Sequence, residues 1–220
     1  ISKLIKDGEI TGRKNEMTLI HTMGDSFKNF LPNRILVIGL GKADDFGYNE
    51  IREVSATLAR KIESLKIKKF GTIIHGAGIG GLDVSYSCEA MVEGTLLGLY
   101  RFDKYKSKQK EDQDHHIDEM QIIEIDKTKI EEAQKGIKNA KIFAEANIST
   151  RNLVNEPPNV MTPKKLADFA QTLAKNNDNL NCKIFKKSDL EQMKMGAFLG
   201  VSQGSNNDPY GIHITYEGNK

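Results

Sequence analysis

Short apolar runs alternate with stretches whose apolar residues recur every three or four positions. Met17 to Thr22 and Ile35 to Leu40 read as strands, the second nearly continuous in apolar character and so suited to burial on both faces. Ile51, Val54, Leu58, Ile62 and Leu65 fall at helical spacing, with Arg52, Glu53, Arg60, Lys61 and Glu63 mostly on the opposite side. Thr72 to His75 predicts the next strand, followed by a glycine-rich turn and a helix from about Ser85 to Tyr100. A charged segment, Arg101 to Glu119, interrupts the pattern before a strand at Met120 to Ile125. The longest predicted helix runs from Lys127 or Thr128 to about Leu153, with Ile130, Ala133, Ile137, Ala140 and Ala144 along one stripe.

Glu156-Pro157-Pro158 ends that helix. The α conformation is disfavoured before proline, and neither proline donates a backbone hydrogen bond. Thr162 followed by Pro163 reads as an N-cap with proline at the first helical position, opening a helix to Ala174. A strand at Asn181 to Phe185 follows. Next comes a helix opened by Ser188-Asp189-Leu190-Glu191, which fits a capping box from Ser188 to Glu191, and then a strand at Ile212 to Tyr216. This alternation predicts an α/β fold with a mixed, partly parallel sheet flanked by helices.

The 220 residues suffice for one generous domain or one domain plus part of another. With 38% hydrophobic and 28% charged residues the chain is too apolar for disorder. A net charge of +2 is too small to argue for nucleic acid. No apolar run approaches the ~18 residues of a bilayer span, so no membrane is expected. The two cysteines, Cys88 and Cys182, stand far apart in no Cys-x-x-Cys pattern, which suits reduced thiols and a cytoplasmic setting. The Asn147-Ile148-Ser149 sequon falls inside a helical pattern and reads as coincidence.

Candidate chemistry is sparse. Gly76-Ala77-Gly78-Ile79-Gly80-Gly81 contains Gly-x-Gly-x-x-Gly between a strand and a helix, where backbone amides can cradle a phosphate. The acidic residue that a dinucleotide site needs about 20 positions on is absent, and a tight turn accounts for the glycines. Gly39-Leu40-Gly41-Lys42 also follows a strand. It lacks the spacing of a phosphate loop, leaving Lys42 as an anion binder or the segment as a strand-ending turn.

His21, His75, His115, His116 and His213 form no ligand pair at helical spacing. Asp114-His115-His116 could hold a metal but lies in a run with Lys106, Lys108, Lys110, Glu111 and Asp112 that reads as solvated loop. The basic residues from Lys104 to Lys110, with Tyr105, could touch nucleic acid, but the acids that follow weaken that field. Gln203-Gly204-Ser205 sits in a polar turn, Asp44-Asp45 and Glu131-Glu132 are adjacent and diverge on a helix, and Cys88 reads as a packed thiol rather than a nucleophile. Taken alone, these residues make no active site.

Several segments together resemble the leucyl aminopeptidases of the cytosol aminopeptidase family. They are Ile38-Gly39-Leu40-Gly41-Lys42, Arg101 to Lys106, Arg151-Asn152-Leu153-Val154-Asn155-Glu156-Pro157-Pro158-Asn159, Met161-Thr162-Pro163 and Met195 to Ser205. In order and spacing they cover essentially the whole chain. The resemblance implies a macro-domain-like N-terminal α/β domain (1–126), a linking helix and proline elbow (127–160), and the start of a peptidase domain (161–220). It also implies a metalloexopeptidase that removes N-terminal, leucine-type residues from peptides, two divalent metal ions (zinc, manganese or magnesium) and a homo-hexamer. The metal ligands of that family, a lysine, aspartates and a glutamate, lie in motifs of the type Gly-Lys-Gly…Phe-Asp-Thr-Gly-Gly and Asn-Thr-Asp-Ala-Glu-Gly-Arg. Neither motif occurs in these residues, so no catalytic, cofactor-binding or metal-binding residue is carried onto this numbering. The paired prolines often found in the family are replaced at Asn207-Asp208-Pro209-Tyr210. The expectation is therefore the N-terminal portion of an aminopeptidase, inactive alone, which serves fold and assembly. The alternative is a non-catalytic macro-like module that binds a nucleotide, ADP-ribose or nucleic acid through the two glycine turns.

Overall fold

The computed structural model describes residues 1–22, 32–77, 80–107 and 116–218. The elements in chain order are α1 (Ser2–Lys6), β1 (Met17–His21), β2 (Arg34–Ile38), α2 (Tyr48–Ser64), β3 (Lys69–Ile73), α3 (Val84–Gly98), β4 (Glu119–Ile123), α4 (Ile130–Asn155), α5 (Pro163–Lys175), β5 (Leu180–Phe185), α6 (Lys187–Gln192), α7 (Gly196–Ser202) and β6 (Gly211–Tyr216). Among the described residues the strands form three two-stranded ladders: β1–β2 antiparallel, β3–β4 parallel and β5–β6 antiparallel. The architecture is mixed α/β, as the alternation predicts. The chain divides into two compact units, Ile1–Ser149 and Thr150–Lys220, and α4 runs through the boundary.

In the first unit, α2 turns Ile51, Val54, Leu58, Ala59 and Ile62 inward, and its amphipathic face packs on α3. At about 1.5–3 kcal/mol for each fully buried large apolar side chain, this stripe is a main source of the unit's stability. The core joins Ile51 to Ile74, Val84, Cys88, Ala90, Met91 and Ala133, so α2, α3 and α4 share it. Glycine sets how close the helices come. A Cβ on Gly94 would lie 2.3 Å from the Arg52 carbonyl oxygen, and one on Gly98 2.6 Å from Ala56 Cα. At Gly136 of α4 it would meet the Ser85 carbonyl oxygen at 2.0 Å. The Arg52 Nε–Glu93 Oε2 pair at 2.6 Å ties the rims of α2 and α3.

Some boundaries depart from the sequence-based expectation. The predicted strand Thr72–His75 is shifted: β3 spans Lys69–Ile73, and His75 lies beyond it. Gly76 (φ +81°) accepts the Leu82 N–H at 3.0 Å, and the chain turns there instead of extending the ladder. Gly39 and Leu40 likewise fall outside β2, because the Gly39 carbonyl accepts from Asn15 N–H at 3.0 Å in an adjacent loop. Residues Ile35–Ile38 are half-buried on both faces rather than fully covered.

In the second unit α5 packs on β5 and β6, burying Ala167 and Ala170. The Thr162 hydroxyl accepts the Lys165 N–H at 3.3 Å with Pro163 in the first turn, as the sequence predicts. The capping box at Ser188–Glu191 does not form. Helix α6 begins at Lys187, and the Asp189 carboxylate accepts the Lys186 N–H at 2.8 Å. Asp189 is well placed to reach back three residues, so the helix starts one position before Ser188, with Lys186 as its N-cap. In the elbow, the Pro157 carbonyl accepts from both Val160 and Met161, each at 2.9 Å.

Candidate functional site

The loop Thr11–Lys14 and the segment after β2 come together. Gly39 N–H donates to the Glu16 carbonyl at 2.8 Å, Asn15 N–H to Gly39 at 3.0 Å and Gly41 N–H to Gly12 at 3.0 Å. The approach is tight enough to exclude side chains: a Cβ on Gly39 would sit 2.0 Å from the Arg13 carbonyl oxygen. Gly41, at φ +85°, adopts the left-handed conformation that glycine reaches without steric cost. The two segments wall an open cleft of about 540 Å³ lined by Thr11, Gly12, Arg13, Lys14, Leu40, Gly41, Lys42, Asp45 and Glu50.

Several charges in and around this cleft are paired. Lys14 Nζ lies 2.6 Å from Glu53 Oε2 and 3.9 Å from Glu50 Oε1. The hydrogen bond to Glu53 raises the Lys14 ammonium above its ordinary range. The same bond is the first cause holding the Glu53 carboxyl below its own, helped by Asn15. Glu50 also accepts the Gly47 N–H at 3.0 Å, starting α2. Glu16 accepts from Thr11 N–H at 2.9 Å, Thr11 Oγ1 at 3.0 Å and Gly12 N–H at 2.7 Å. Desolvation pushes that carboxyl upward, but these hydrogen bonds outweigh it and the net displacement is downward.

The described residues of the second glycine turn do not line this cleft. A Cβ on Gly76 would meet Leu82 Cδ1 at 2.8 Å, and one on Gly80 the Gly76 carbonyl oxygen at 2.8 Å, so both serve a tight turn; Gly78 and Ile79 lie outside the described residues. The N-terminus of α3 beyond it is already served by a carboxylate: Asp83 accepts the Tyr86 N–H at 2.9 Å.

The remaining sequence candidates are scattered. Cys88 is fully buried, and burial, then the charges of Glu124 and Asp83, pushes its thiol up to about 11, which leaves it protonated and unreactive at neutral pH. Cys182 is a free thiol on β5. His75 is buried, with Nε2 3.3 Å from Thr72 Oγ1 and Nδ1 lacking a hydrogen-bond partner among the described residues. Burial lowers its pKa, so it is held neutral. His21 ends β1, and His213 lies in β6 opposite Lys183. His116 pairs with Asp118 at 2.9 Å, while Asp114 and His115 lie outside the described residues. In the basic segment Lys106 pairs with Asp103 at 2.6 Å and Lys104 lies over the Tyr105 ring; residues 108–115 are outside the description. Ser205 Oγ accepts the Asn207 N–H at 3.1 Å, a turn contact. Asp44 and Asp45 occupy a 3₁₀ turn after β2, and Glu131 and Glu132 the first turn of α4.

Among the described residues no three His, Cys, Asp or Glu side chains gather as a metal site. No helix among them is long and apolar enough to cross a membrane. The Thr11–Lys14 loop went unread in the sequence, where the basic pair Arg13-Lys14 after Gly12 was its only signal.

Comparison with known proteins adds two family-model matches in chain order. One is described as the cytosol aminopeptidase family, N-terminal domain, over residues 1–109, and the other as the catalytic domain of that family over residues 148–220. A probable cytosol aminopeptidase of Alkaliphilus oremlandii is 33% identical over 100% of this chain and 43% of its own length. One from Aquifex aeolicus is 36% identical over 94% of this chain and 38% of its own. A mutant of tomato leucine aminopeptidase superposes with a TM-score of 0.82 at 22% identity, covering 100% of this chain and 41% of that one. The bottromycin maturation enzyme BotP in complex with Mn does so at 0.79, also at 22% identity, over 99% of this chain and 42% of its own. The chain thus spans less than half the length of these relatives.

Proposed function

The chain belongs to the cytosol aminopeptidase family, and on that premise we propose that it forms the N-terminal portion of a metal-dependent aminopeptidase that releases N-terminal, leucine-type residues from peptides. The observation that carries this reading is the succession of the two family matches, N-terminal then catalytic, along one polypeptide. In this reading 1–126 is a macro-like domain, 127–160 a linking helix and elbow, and 161–220 the opening of the peptidase domain. The whole enzyme works in the cytoplasm as a hexamer on peptide substrates.

Two divalent ions, zinc, manganese or magnesium, would supply a polarised carbonyl and an activated water in the whole enzyme. The described residues do not fit such a pair, since no cluster of metal donors is found among them. The role left to this chain is scaffolding. The first unit supplies a closed core, and the second presents Leu166, Phe169, Leu173 and Phe198 as exposed apolar side chains. These would be covered by the rest of a peptidase domain.

A chimera tests the reading. This chain replaces the aligned part of the Alkaliphilus oremlandii relative, and hydrolysis of leucinamide is followed with Mn²⁺. The expected result is an active assembled chimera, while the 220-residue chain alone shows no turnover. A chimera that assembles but does not turn over, or hydrolysis by the isolated chain that survives repurification, overturns it.

A further inference from the structure

We propose that the cleft between the Thr11–Lys14 loop and the Gly39–Asp45 segment binds a free α-amino acid, with Arg13 and Lys42 holding its carboxylate and Asp45 its ammonium group. Binding here requires only the Ile1–Ser149 unit and is independent of peptide hydrolysis.

The charge inventory of the cleft is what singles it out. Lys14 is held by Glu53 and Glu50, and Glu50 also serves the start of α2. Three lining side chains then have neither an ion pair nor a hydrogen bond among the described residues: Arg13, Lys42 and Asp45. They share one open cavity of about 540 Å³, within the range of small-molecule sites. A guanidinium fork is matched to a planar carboxylate, and an ammonium adds a point charge beside it.

Asp45 decides between anions. A phosphate or polyphosphate brought to Arg13 and Lys42 would also face this carboxylate and be repelled by it, whereas a zwitterion complements all three charges. Among the described residues no aromatic side chain lines the cleft, so they offer a nucleobase no stacking surface; Leu40 offers an aliphatic contact instead. The walls are preorganised: three main-chain hydrogen bonds and the glycine contact at Gly39 fix the two loops against each other before any ligand arrives.

The test is calorimetric titration of the 220-residue chain with L-leucine. Parallel titrations use leucinamide (no carboxylate), 4-methylpentanoate (no ammonium) and inorganic phosphate. Saturable leucine binding is expected, with either truncated analogue weaker. R13Q and K42Q should each weaken leucine about tenfold, the scale of one lost charge-assisted hydrogen bond. D45N should weaken leucine while strengthening 4-methylpentanoate, which loses a repelling carboxylate and has no ammonium group to lose a partner. All three residues are exposed, so the variants should fold as the parent does, checked by unaltered thermal midpoints. Absence of saturation at tens of millimolar leucine, or R13Q and K42Q binding leucine like the parent, overturns the proposal. Phosphate binding at least as tightly as leucine in the parent chain would make the cleft a simple anion site and likewise overturn it.

Discussion

The helix glycines of the two units behave in opposite ways. Gly94, Gly98 and Gly136 in the first unit sit where a single added carbon would strike a neighbouring backbone, while Gly196 and Gly200 of α7 in the second have nothing within 4 Å. The large apolar side chains follow suit. Ile51 and Met91 are 0% and 1% exposed in the first unit, whereas Val201 of α7 is 90% exposed and Leu173 of α5 46%. Packing is therefore close to saturated around α2, α3 and α4 and slack around α5 and α7. Substitutions of one kind should carry opposite signs in the two places.

The largest effect is expected at Ile51→Ala, which empties the centre of the shared core. It should cost about 2–5 kcal/mol, read as a lowered urea midpoint of the first unit. Leu173→Ala, at an exposed position, should move the urea midpoint of the second unit far less. A comparable loss there would mean that α5 is better buried than its exposure indicates. Gly136→Ala comes next. Its new methyl group meets the Ser85 carbonyl oxygen, backbone that cannot swing aside, for an expected loss of about 1–3 kcal/mol. Gly200→Ala should do the reverse. Inside a helix and in open space, it should stabilise α7 by about 0.5–1 kcal/mol, measurable as slower amide exchange across residues 196–202.

The smallest effect sharpens the comparison through pH. Burial lowers the pKa of His75 in the folded chain, while in the unfolded chain it returns to about 6.5. Below that value the unfolded state takes up the proton first. Stability is thus full above about pH 6.5 and falls as the pH drops toward the folded value. Replacing His75 with Leu should flatten the parent's decline below about pH 6.5. An equally steep decline in the variant would assign the acid sensitivity to other groups.

What could be read from the sequence was whatever depends on near neighbours. The stripe Ile51, Val54, Leu58 and Ile62 is a period, and Thr162-Pro163 is a cap; both exist before any tertiary contact. The cap of α6 failed to be legible because Ser188 and Asp189 are rival candidates one residue apart, and only the reach from Asp189 to the Lys186 N–H decides between them. His75 falls outside the strand predicted for it because the turn that follows β3 depends on Leu82, seven residues away by number. The cleft was hidden for the same reason on a larger scale. Gly39 and Gly41 looked like punctuation, and their partners Arg13 and Gly12 stand on the far side of β1 and β2. Its chemistry is made of which charges remain unmatched after folding, a property no short window of residues contains.

The two adjacent prolines after α4 give the helix a stop written into bond chemistry instead of a balance of weak forces. Two successive imino nitrogens carry no hydrogen to lend, so letting the spiral creep forward into the next segment would cost about 3 kcal/mol or more. The place of the junction is thus marked in the covalent chain itself, and the register of everything beyond it is counted from a fixed origin.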